Sequence, residues 1–485
     1  MTTRQLRSGE SRLLAVETPS ALGHTSTLIV LDPTDAPQPI TGQLLTAEVA
    51  ARLDGLPLLR QCLVEIPFGL DRPWWRDDPG FDLNYHLRYI AVPDPDDPTS
   101  LAQLVARIHD RPLDRHRPLW ELYLISGLAD GRLALLSKVH LAAIGSAGGA
   151  EIAAGLLGPS GTLHSQEAGE LDALTWKARP GPSTFQLVCT TWRNTMLDPA
   201  RSMIAIPSRL TSVPGVRALV NPALALLNQR TQRSIVVPND ETVTPRTSFN
   251  HRVGSHRRWA PVVLELDRIA HLRHRAGVST VDVLTTLCSG ALRWWLLEHD
   301  ELPKEPLKAL VPLSVTDPDA VDGLAGVVVS LQTHRRRPDE RLAAIHAEIG
   351  EAVVRHGAMP AAEIQGIGGG TPILGMIASR LLERSPLADR LLPPFNTVIT
   401  SVPGPTDPHY ALGARVEAIH PVLGVVDGVG LHIGAMSVGD RLCLSLVADR
   451  DLVPDLDQLA ARIPEELTIL ERTVPAAPAT RGASA

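Results

Sequence analysis

The sequence predicts an α/β protein built from two halves. At 485 residues the chain is longer than one hydrophobic core usually supports, so two domains are expected. Strand and helix patterns fill residues 1–157 and 247–474, whereas residues 158–246 are rich in proline, serine and arginine and keep no regular strand pattern. We therefore predict an N-terminal half at 1–157, a crossover linker at 158–246, a C-terminal half at 247–474 and a disordered tail at 475–485.

The predicted elements of the N-terminal half follow from local pattern. Its β-branched and apolar runs predict strands, and apolar residues at helical spacing predict helices. Pro118-Leu119-Trp120-Glu121 opens a strand that pairs, through a turn at Asp130-Gly131, with the strand that leads to His140. Strands are predicted at 24–31, 86–92, 122–125 and 133–140, and helices at 45–53 and 101–109.

The C-terminal half shows the same alternation. A hairpin is predicted at 436–449 because two apolar runs flank Gly439-Asp440. Asp282 lies near the start of a long helix, where a carboxylate stabilises unpaired backbone amides by roughly 0.3–1 kcal/mol. Further strands are predicted at 261–266, 310–315 and 395–402, and helices at 267–274, 279–297 and 455–470.

Composition and charge exclude several classes of function. A hydrophobic content of 44% with 20% charged residues is ordinary for a soluble globular protein, and a net charge of −7 without long blocks argues against a nucleic-acid partner. Residues 1–12 do not resemble a signal peptide, and no uninterrupted apolar run approaches the roughly 20 residues of a membrane span. We expect a cytoplasmic protein with at most peripheral membrane contact.

The cysteines predict no metal site. They are far apart in the sequence and form no Cys-x-x-Cys pair, which is typical of buried free thiols in a reducing compartment. The four are Cys62, Cys189, Cys288 and Cys443.

The chain is organised around residues 138–149, where an apolar strand delivers His140 to a turn rich in glycine and small residues. The turn begins with Leu141 and includes Gly145 and Ser146. This segment resembles the active-site segment of the bacterial wax ester synthase/diacylglycerol acyltransferase (WS/DGAT) family, which carries His-His-x-x-x-Asp-Gly. Aligned on Lys138-Val139-His140, the family's second histidine falls on Leu141, its aspartate on Gly145 and its glycine on Ser146.

Other short sequence motifs extend this resemblance from about residue 17 to residue 470. They include Pro-Leu-Trp-Glu at 118–121, the Pro-Arg-Thr-Ser-Phe-Asn phrase at 245–250, and a strand and turn at 395–405. Asparagines of the family are replaced by Val281 and Ser401, while Asp282 is kept. The candidate catalytic residue is His140, and the candidate substrate-binding residues are Trp120, Leu141, Gly145, Ser146, Asn250, Asp282, Asn396 and Ser401.

The resemblance implies a fold of two halves like those of chloramphenicol acetyltransferase and condensation domains, with mixed sheets covered by helices and a tunnel between them. It also implies an acyl-CoA or carrier-protein thioester as partner, with no metal and no bound cofactor. Acyl transfer to an alcohol needs a base for the hydroxyl proton, and histidine, with a pKa near about 6.5, suits that task. Leu141 has no lone pair, so the sequence lacks the family's base at this position.

Three hypotheses remain open. In the first, the tunnel is repurposed to bind or transform a long apolar acyl or polyketide-like molecule. In the second, the chain is a functional acyl-CoA O-acyltransferase that makes triacylglycerol, wax or other esters, using His140 or a histidine from elsewhere, such as His251 or His256. In the third, it is a non-catalytic lipid-binding or regulatory paralogue.

Overall fold

The structure is a computed structural model with a mixed α/β fold that contains two six-stranded sheets. It describes residues 3–6, 8–15, 17–66, 72–97, 99–144, 155–163, 186, 244–314, 324–357 and 395–474. Most of the predicted linker and the whole predicted tail therefore lie outside the described residues.

The strands within the described residues are numbered in chain order. They are β1 Thr3–Gln5, β2 His24–Asp32, β3 Gln61–Val64, β4 Trp74–Asp77, β5 Leu87–Ala91, β6 Trp120–Ser126, β7 Leu133–His140, β8 Arg257–Glu265, β9 Lys308–Ser314, β10 Leu324–Ser330, β11 Thr397–Val402, β12 Tyr410–Ala411, β13 Ala414–Val422, β14 Leu431–Val438 and β15 Arg441–Asp449.

The helices are numbered in the same way. They are α1 Ser8–Ala15, α2 Gly42–Arg52, α3 Leu83–His86, α4 Ser100–His109, α5 Leu141–Ile144, α6 Leu266–Ala276, α7 Thr280–Glu298, α8 Pro338–Gly357 and α9 Leu456–Thr473. Among the helices described, none is both long enough and apolar enough to cross a membrane.

The first sheet has the strand order β12-β13-β2-β7-β6-β5, and the second has the order β10-β9-β11-β14-β15-β8. Each contains both parallel and antiparallel pairs: β5 runs parallel to β6 in the first, and β11 runs parallel to β9 and β14 in the second. The C-terminal part of the chain contributes two strands to the first sheet. Strand β13 pairs with β2, and β12 pairs with β13 at the edge of that sheet. The predicted mixed α/β fold is confirmed.

Local sequence explains where several elements begin and turn. The Ser279 side chain accepts a hydrogen bond from the Asp282 amide while the Asp282 carboxylate accepts one from the Ser279 amide, a capping box that starts α7. Gly439, at a φ of 55°, forms the turn between β14 and β15 that the sequence predicted.

One sequence prediction was wrong. His86 was placed in a strand, but it ends α3, and β5 begins only at Leu87. The Asp82 carboxylate accepts a hydrogen bond from the Asn84 amide at 3.0 Å, and this local cap favours one helical turn over continued extension.

Helix α4 connects the halves. It packs against β8, the edge strand of the second sheet. Its buried residues Leu104, Val105 and Ile108 share an apolar cluster with Leu28 of β2 and Val447 of β15. The surface of the first sheet that carries Leu28 is therefore enclosed by the other half, and His140 lies on that same surface.

Candidate functional site around His140

His140 lies on β7, a central strand of the first sheet, between β2 and β6. It is the last residue of β7, and its neighbour across the antiparallel pair is His24 of β2. Directly opposed residues of an antiparallel pair project to the same face, so His24 and His140 lie side by side. His140 is 2% exposed.

Both ring nitrogens of His140 face groups of the chain itself. Nδ1 accepts a hydrogen bond from the Ala142 amide at 3.0 Å, so its lone pair is occupied. The hydrogen-bonding pattern therefore places the ring proton of neutral His140 on Nε2. Nε2 lies 3.1 Å from the Glu17 Oε1. His140 has no free lone pair with which to take a proton from a substrate.

Glu17 is the acidic partner that sequence reasoning missed. Its carboxylate accepts a hydrogen bond from the Gly23 amide at 2.7 Å and bonds to the Arg115 guanidinium. Burial raises the pKa of the Glu17 carboxyl, but hydrogen bonds from His140, from Arg115 and from the Gly23 amide outweigh burial and lower the pKa to about 2. No local signal identifies the pair, since 123 residues separate Glu17 from His140 in the sequence.

Leu141 occupies the next position, at the start of α5. Its amide donates to the Gly23 carbonyl at 2.9 Å, and its side chain is half-buried. The change from strand to helix occurs between His140 and Leu141, so Leu141 does not continue the alternation of side chains along β7. Gly145 and Ser146, also predicted as site residues, lie outside the described part of the chain.

Trp120 lies beside the histidine strand, as the sequence predicted. Its partner across the strand pair is Val139, its indole Nε1 donates to the Leu59 carbonyl at 2.8 Å, and its ring stacks on His86 at a centroid distance of 4.5 Å. Trp120 also lines a narrow, largely apolar crevice that includes Leu56 and Leu156. Its observed role is packing.

A buried polar cluster continues from His140 along the same face. Ser26 bonds to the His109 Nδ1 at 3.0 Å, and the His24 Nε2 lies 2.6 Å from the His109 carbonyl oxygen. Lys138 donates to the Ile108 carbonyl at 2.7 Å at the end of α4. Burial lowers the pKa of Lys138 to about 8. These groups hold the end of α4 against β7.

A narrow crevice opens between the two halves beside this cluster. Across it, the Asp110 carboxylate accepts a hydrogen bond from the Arg257 amide at 3.0 Å, and the Arg257 guanidinium bonds to the Ser20 carbonyl. The crevice therefore has walls from both halves of the chain. Its lining includes His24, His109, Asp110, Arg257, Gly424 and Val425.

Asn250 and Asn396 are brought together, but by a structural network. The Asn396 Nδ2 donates to the Asn250 Oδ1 at 2.8 Å, and the Asn250 Nδ2 donates to the carbonyls of Asn396 and Gly428. The Asn396 Oδ1 in turn accepts from the Lys308 amide at 2.9 Å. Since every polar atom of both amides has a partner within the chain, the network explains both residues without a ligand.

The remaining candidates are dispersed. Besides capping α7, the Asp282 carboxylate bonds to the His346 Nδ1 at 2.8 Å. Ser401 lies on β11 opposite Ala435 and is half-buried. The side chain of His256 is 58% exposed, with its Nδ1 3.8 Å from the Asp110 carboxylate, and His251 is exposed as well. Neither of these two histidines is enclosed beside His140.

Two models of known protein domains match this chain, and together they cover most of its length. Residues 6–284 match the model of the wax ester synthase/diacylglycerol acyltransferase catalytic domain, and residues 323–471 match that of the WS/DGAT C-terminal domain. The chain belongs to the WS/DGAT family. The resemblance predicted from the sequence is confirmed.

Relatives of this WS/DGAT protein share its length. It is 31% identical over 470 residues to a "probable diacyglycerol O-acyltransferase" of Mycobacterium tuberculosis, covering 96% of this chain and 98% of the relative. It is 29% identical over 410 residues to the "O-acyltransferase WSD" of Acinetobacter baylyi, covering 83% of this chain and 84% of the relative.

Solved structures support the two-half fold. The wax ester synthase/diacylglycerol acyltransferase from Marinobacter aquaeolei VT8 aligns with a TM-score of 0.69 at 24% identity, covering 97% of this chain and 100% of that one. A starter condensation domain of rhizomide synthetase, in complex with C8-CoA and Leu-SNAC, aligns with a TM-score of 0.51 at 14% identity, covering 98% and 94%. At these identities the likeness concerns the fold alone.

Buried histidines are expected to make the stability of this WS/DGAT protein depend on pH. Burial lowers the pKa of His109 to about 3 and those of His420 and His432 to about 4, whereas the unfolded chain titrates near about 6.5. The stability these groups contribute is present above pH 6.5 or so and is lost as the pH falls toward about 4, because only the unfolded state takes up protons in that window.

Each such histidine should lower the free energy of unfolding by about 1.4 kcal/mol for each unit of pH below 6. Urea unfolding at pH 7, 6 and 5 measures this slope. His420→Asn removes one histidine that only the unfolded state protonates, so the slope should fall by the contribution of one proton, about 1.4 kcal/mol per pH unit. Glu17 does not interfere, since its carboxyl titrates below this window. An unfolding free energy that stays constant from pH 7 to pH 5 would contradict the neutral state of these histidines.

Proposed function

We propose that this WS/DGAT protein binds a long apolar acyl or polyketide-like chain, presented as acyl-CoA or as a carrier-protein thioester, and does not use the family's histidine general base. One observation carries the proposal: Leu141 follows the strand-terminal His140, whose Nδ1 lone pair is occupied by the Ala142 amide. A general base needs a free lone pair within reach of the proton it removes. Neither side chain supplies one.

An apolar ligand suits the surroundings. The crevice beside Trp120 is walled mainly by leucine, valine and tryptophan side chains, and it lies on the face of the first sheet that carries Val139, opposite to the face that carries His140. Enclosure of a hydrocarbon chain contributes about 0.8 kcal/mol for each buried CH₂ group. In this proposal Leu141 and Ser401 contact the acyl chain, whereas Asn250, Asn396 and Asp282 hold the surrounding backbone.

A second candidate function is acyl transfer through His140. Its support is the carboxylate of Glu17 at 3.1 Å from Nε2, together with the relatives named as O-acyltransferases. For this function His140 would first have to release either the Ala142 amide or the Glu17 carboxylate. The third possibility is a non-catalytic lipid-binding or regulatory paralogue. Such a protein would also bind the apolar chain of the main proposal.

Titration calorimetry with palmitoyl-CoA and acetyl-CoA tests the proposed binding. We expect palmitoyl-CoA to bind at least 100-fold more tightly, because burial of only four CH₂ groups contributes about 3 kcal/mol. The thioester should remain intact when a long-chain alcohol is added. Equal affinity for the two thioesters would exclude an acyl-binding site.

Matched variants separate the two candidate functions. The Leu56→Gln variant introduces a polar group into the crevice and should weaken binding of palmitoyl-CoA but not of acetyl-CoA. His140→Ala should leave binding unchanged under the proposal. If the wild-type protein consumes the thioester, and His140→Ala abolishes that activity without lowering the melting temperature, acyl transfer through His140 is the function instead.

A further inference from the structure

The connection between β10 and α8 carries four consecutive basic side chains, all of them exposed. They are His334, Arg335, Arg336 and Arg337, and they are termed the basic loop. The chain as a whole has a net charge of −7, so this loop is a local exception on a negatively charged protein. The site around His140 does not use it.

A buried arginine holds the basic loop from beneath. Arg341 is 2% exposed, and its Nη1 donates to the backbone carbonyls of Arg335 and Arg336 at 3.2 and 3.3 Å. Its Nη2 is paired with the Glu466 carboxylate at 3.1 Å. The backbone of the basic loop is therefore fixed before any partner binds, which lowers the entropic cost of binding.

Arg293 of α7 extends the cationic surface. Its guanidinium donates to the carbonyl of Thr333, the residue just before the loop, at 2.6 Å. Burial and the nearby charge of Arg336 lower the pKa of Arg293. Burial, followed by the charges of Arg335 and Arg293, lowers the pKa of His334. Like charges are therefore held close together here, and an anionic partner would relieve their repulsion.

Charge pairing distinguishes Arg337 from its neighbours. Arg337 donates two hydrogen bonds to the Asp339 carboxylate, of 2.6 and 3.2 Å, in the forked geometry that suits a guanidinium and a carboxylate. Among the residues that the structure describes, neither Arg335 nor Arg336 has a carboxylate partner, and the Arg335 Nε donates to the neutral Gln332 side chain at 3.1 Å. Two guanidinium groups of the loop are thus available to carboxylates of another molecule.

These features favour an acidic protein as the partner. Small ligands bind in concave pockets, whereas the side chains of the basic loop are exposed. Segments that bind anionic membranes typically carry about four to eight lysines or arginines, whereas this loop has three arginines on a chain of negative net charge. A fixed guanidinium fork matches carboxylates held at fixed positions on a folded protein, which a fluid bilayer does not offer.

We propose that the basic loop, together with Arg293, is the docking surface for an acidic carrier protein that presents the acyl thioester. Carboxylates of the carrier protein pair with Arg335 and Arg336, while the negative charge of the rest of the chain disfavours other encounters. This inference rests on the proposed function, since it assigns a dedicated surface to the carrier-protein form of the thioester. Docking needs no bond to form or break.

Fluorescence anisotropy of a dye-labelled, palmitoyl-loaded acyl carrier protein tests the inference. We expect the wild-type protein to bind it, and Arg336→Glu and Arg335→Glu each to weaken the affinity about tenfold, because a charge pair becomes a repulsion. Raising the salt concentration from about 0.05 M to about 0.5 M should weaken wild-type binding by at least as much, since exposed charges are screened. Palmitoyl-CoA should bind the wild type and both variants equally.

Arg107→Glu is the matched control. Arg107 is exposed on α4, and its reversal changes the net charge by the same amount, so the affinity for the carrier protein should stay unchanged. An equal loss in Arg107→Glu, or a loss of palmitoyl-CoA binding in Arg336→Glu, overturns the role of the basic loop. So does a wild-type protein that binds vesicles of phosphatidylglycerol and phosphatidylcholine through Arg336 but does not bind the carrier protein.

The same titrations separate this inference from the proposed function. If palmitoyl-CoA binds more tightly than acetyl-CoA but the carrier protein does not bind, the proposed function stands and the docking surface is wrong. If neither palmitoyl-CoA nor the palmitoyl-loaded carrier protein binds, both are wrong.

Discussion

Replacement of Trp120 by alanine is expected to destabilise the protein by about 3–5 kcal/mol, the usual cost of truncating a buried aromatic side chain. The indole is 2% exposed, stacks on His86 and donates to the Leu59 carbonyl. Its removal leaves a cavity beside β7 and an unpaired carbonyl. Because Trp120 pairs with Val139 next to His140, the loss should loosen the strand that carries the site.

Chemical unfolding of Trp120→Ala and Trp120→Phe measures the two contributions separately. Phenylalanine keeps an aromatic ring against His86 but cannot donate to Leu59, so it should lose less stability than alanine does. The difference between the variants reports the packing contribution. A melting temperature unchanged in Trp120→Ala would mean that the tryptophan is not buried and that the pairing of β6 with β7 is wrong.

The fold was predictable because its signals are local and repeated. The β-branched run of β2, the hairpin turning at Gly439 and the serine cap of α7 each identify their element from a few neighbouring residues. His86 was misplaced because a single cap at Asp82 overrode an extended pattern. The transfer of β13 into the first sheet has no sequence signal, since strand order depends on contacts between distant segments.

The site was predictable only in part. That the Leu141 side chain cannot act as a base follows from its residue type alone. The state of His140 does not, because it depends on Glu17 and on the Ala142 amide, whose positions are fixed by a loop and a helix start.

Restoring the family's motif is expected to produce the largest functional change. In the Leu141→His, Gly145→Asp variant a histidine and an aspartate occupy the positions at which the resemblance of the sequence predicts the family's second histidine and its aspartate. General-base assistance typically contributes roughly 10²–10⁴-fold to the rate, so acyl transfer should rise by that factor over the unaltered protein. Leu141→Gln, Gly145→Asp is the matched control, since glutamine is polar but cannot act as the base.

The decisive measurement is the rate of ester formation from palmitoyl-CoA and 1-hexadecanol by four proteins: the wild type, His140→Ala and the two double variants. The account predicts no transfer above background by the wild type, His140→Ala or the glutamine variant, and measurable transfer by the Leu141→His, Gly145→Asp variant. Efficient transfer by the wild type that disappears in a folded His140→Ala protein would contradict it, and would show that His140 serves as the base despite the hydrogen bond from Ala142 and the nearby Glu17 carboxylate.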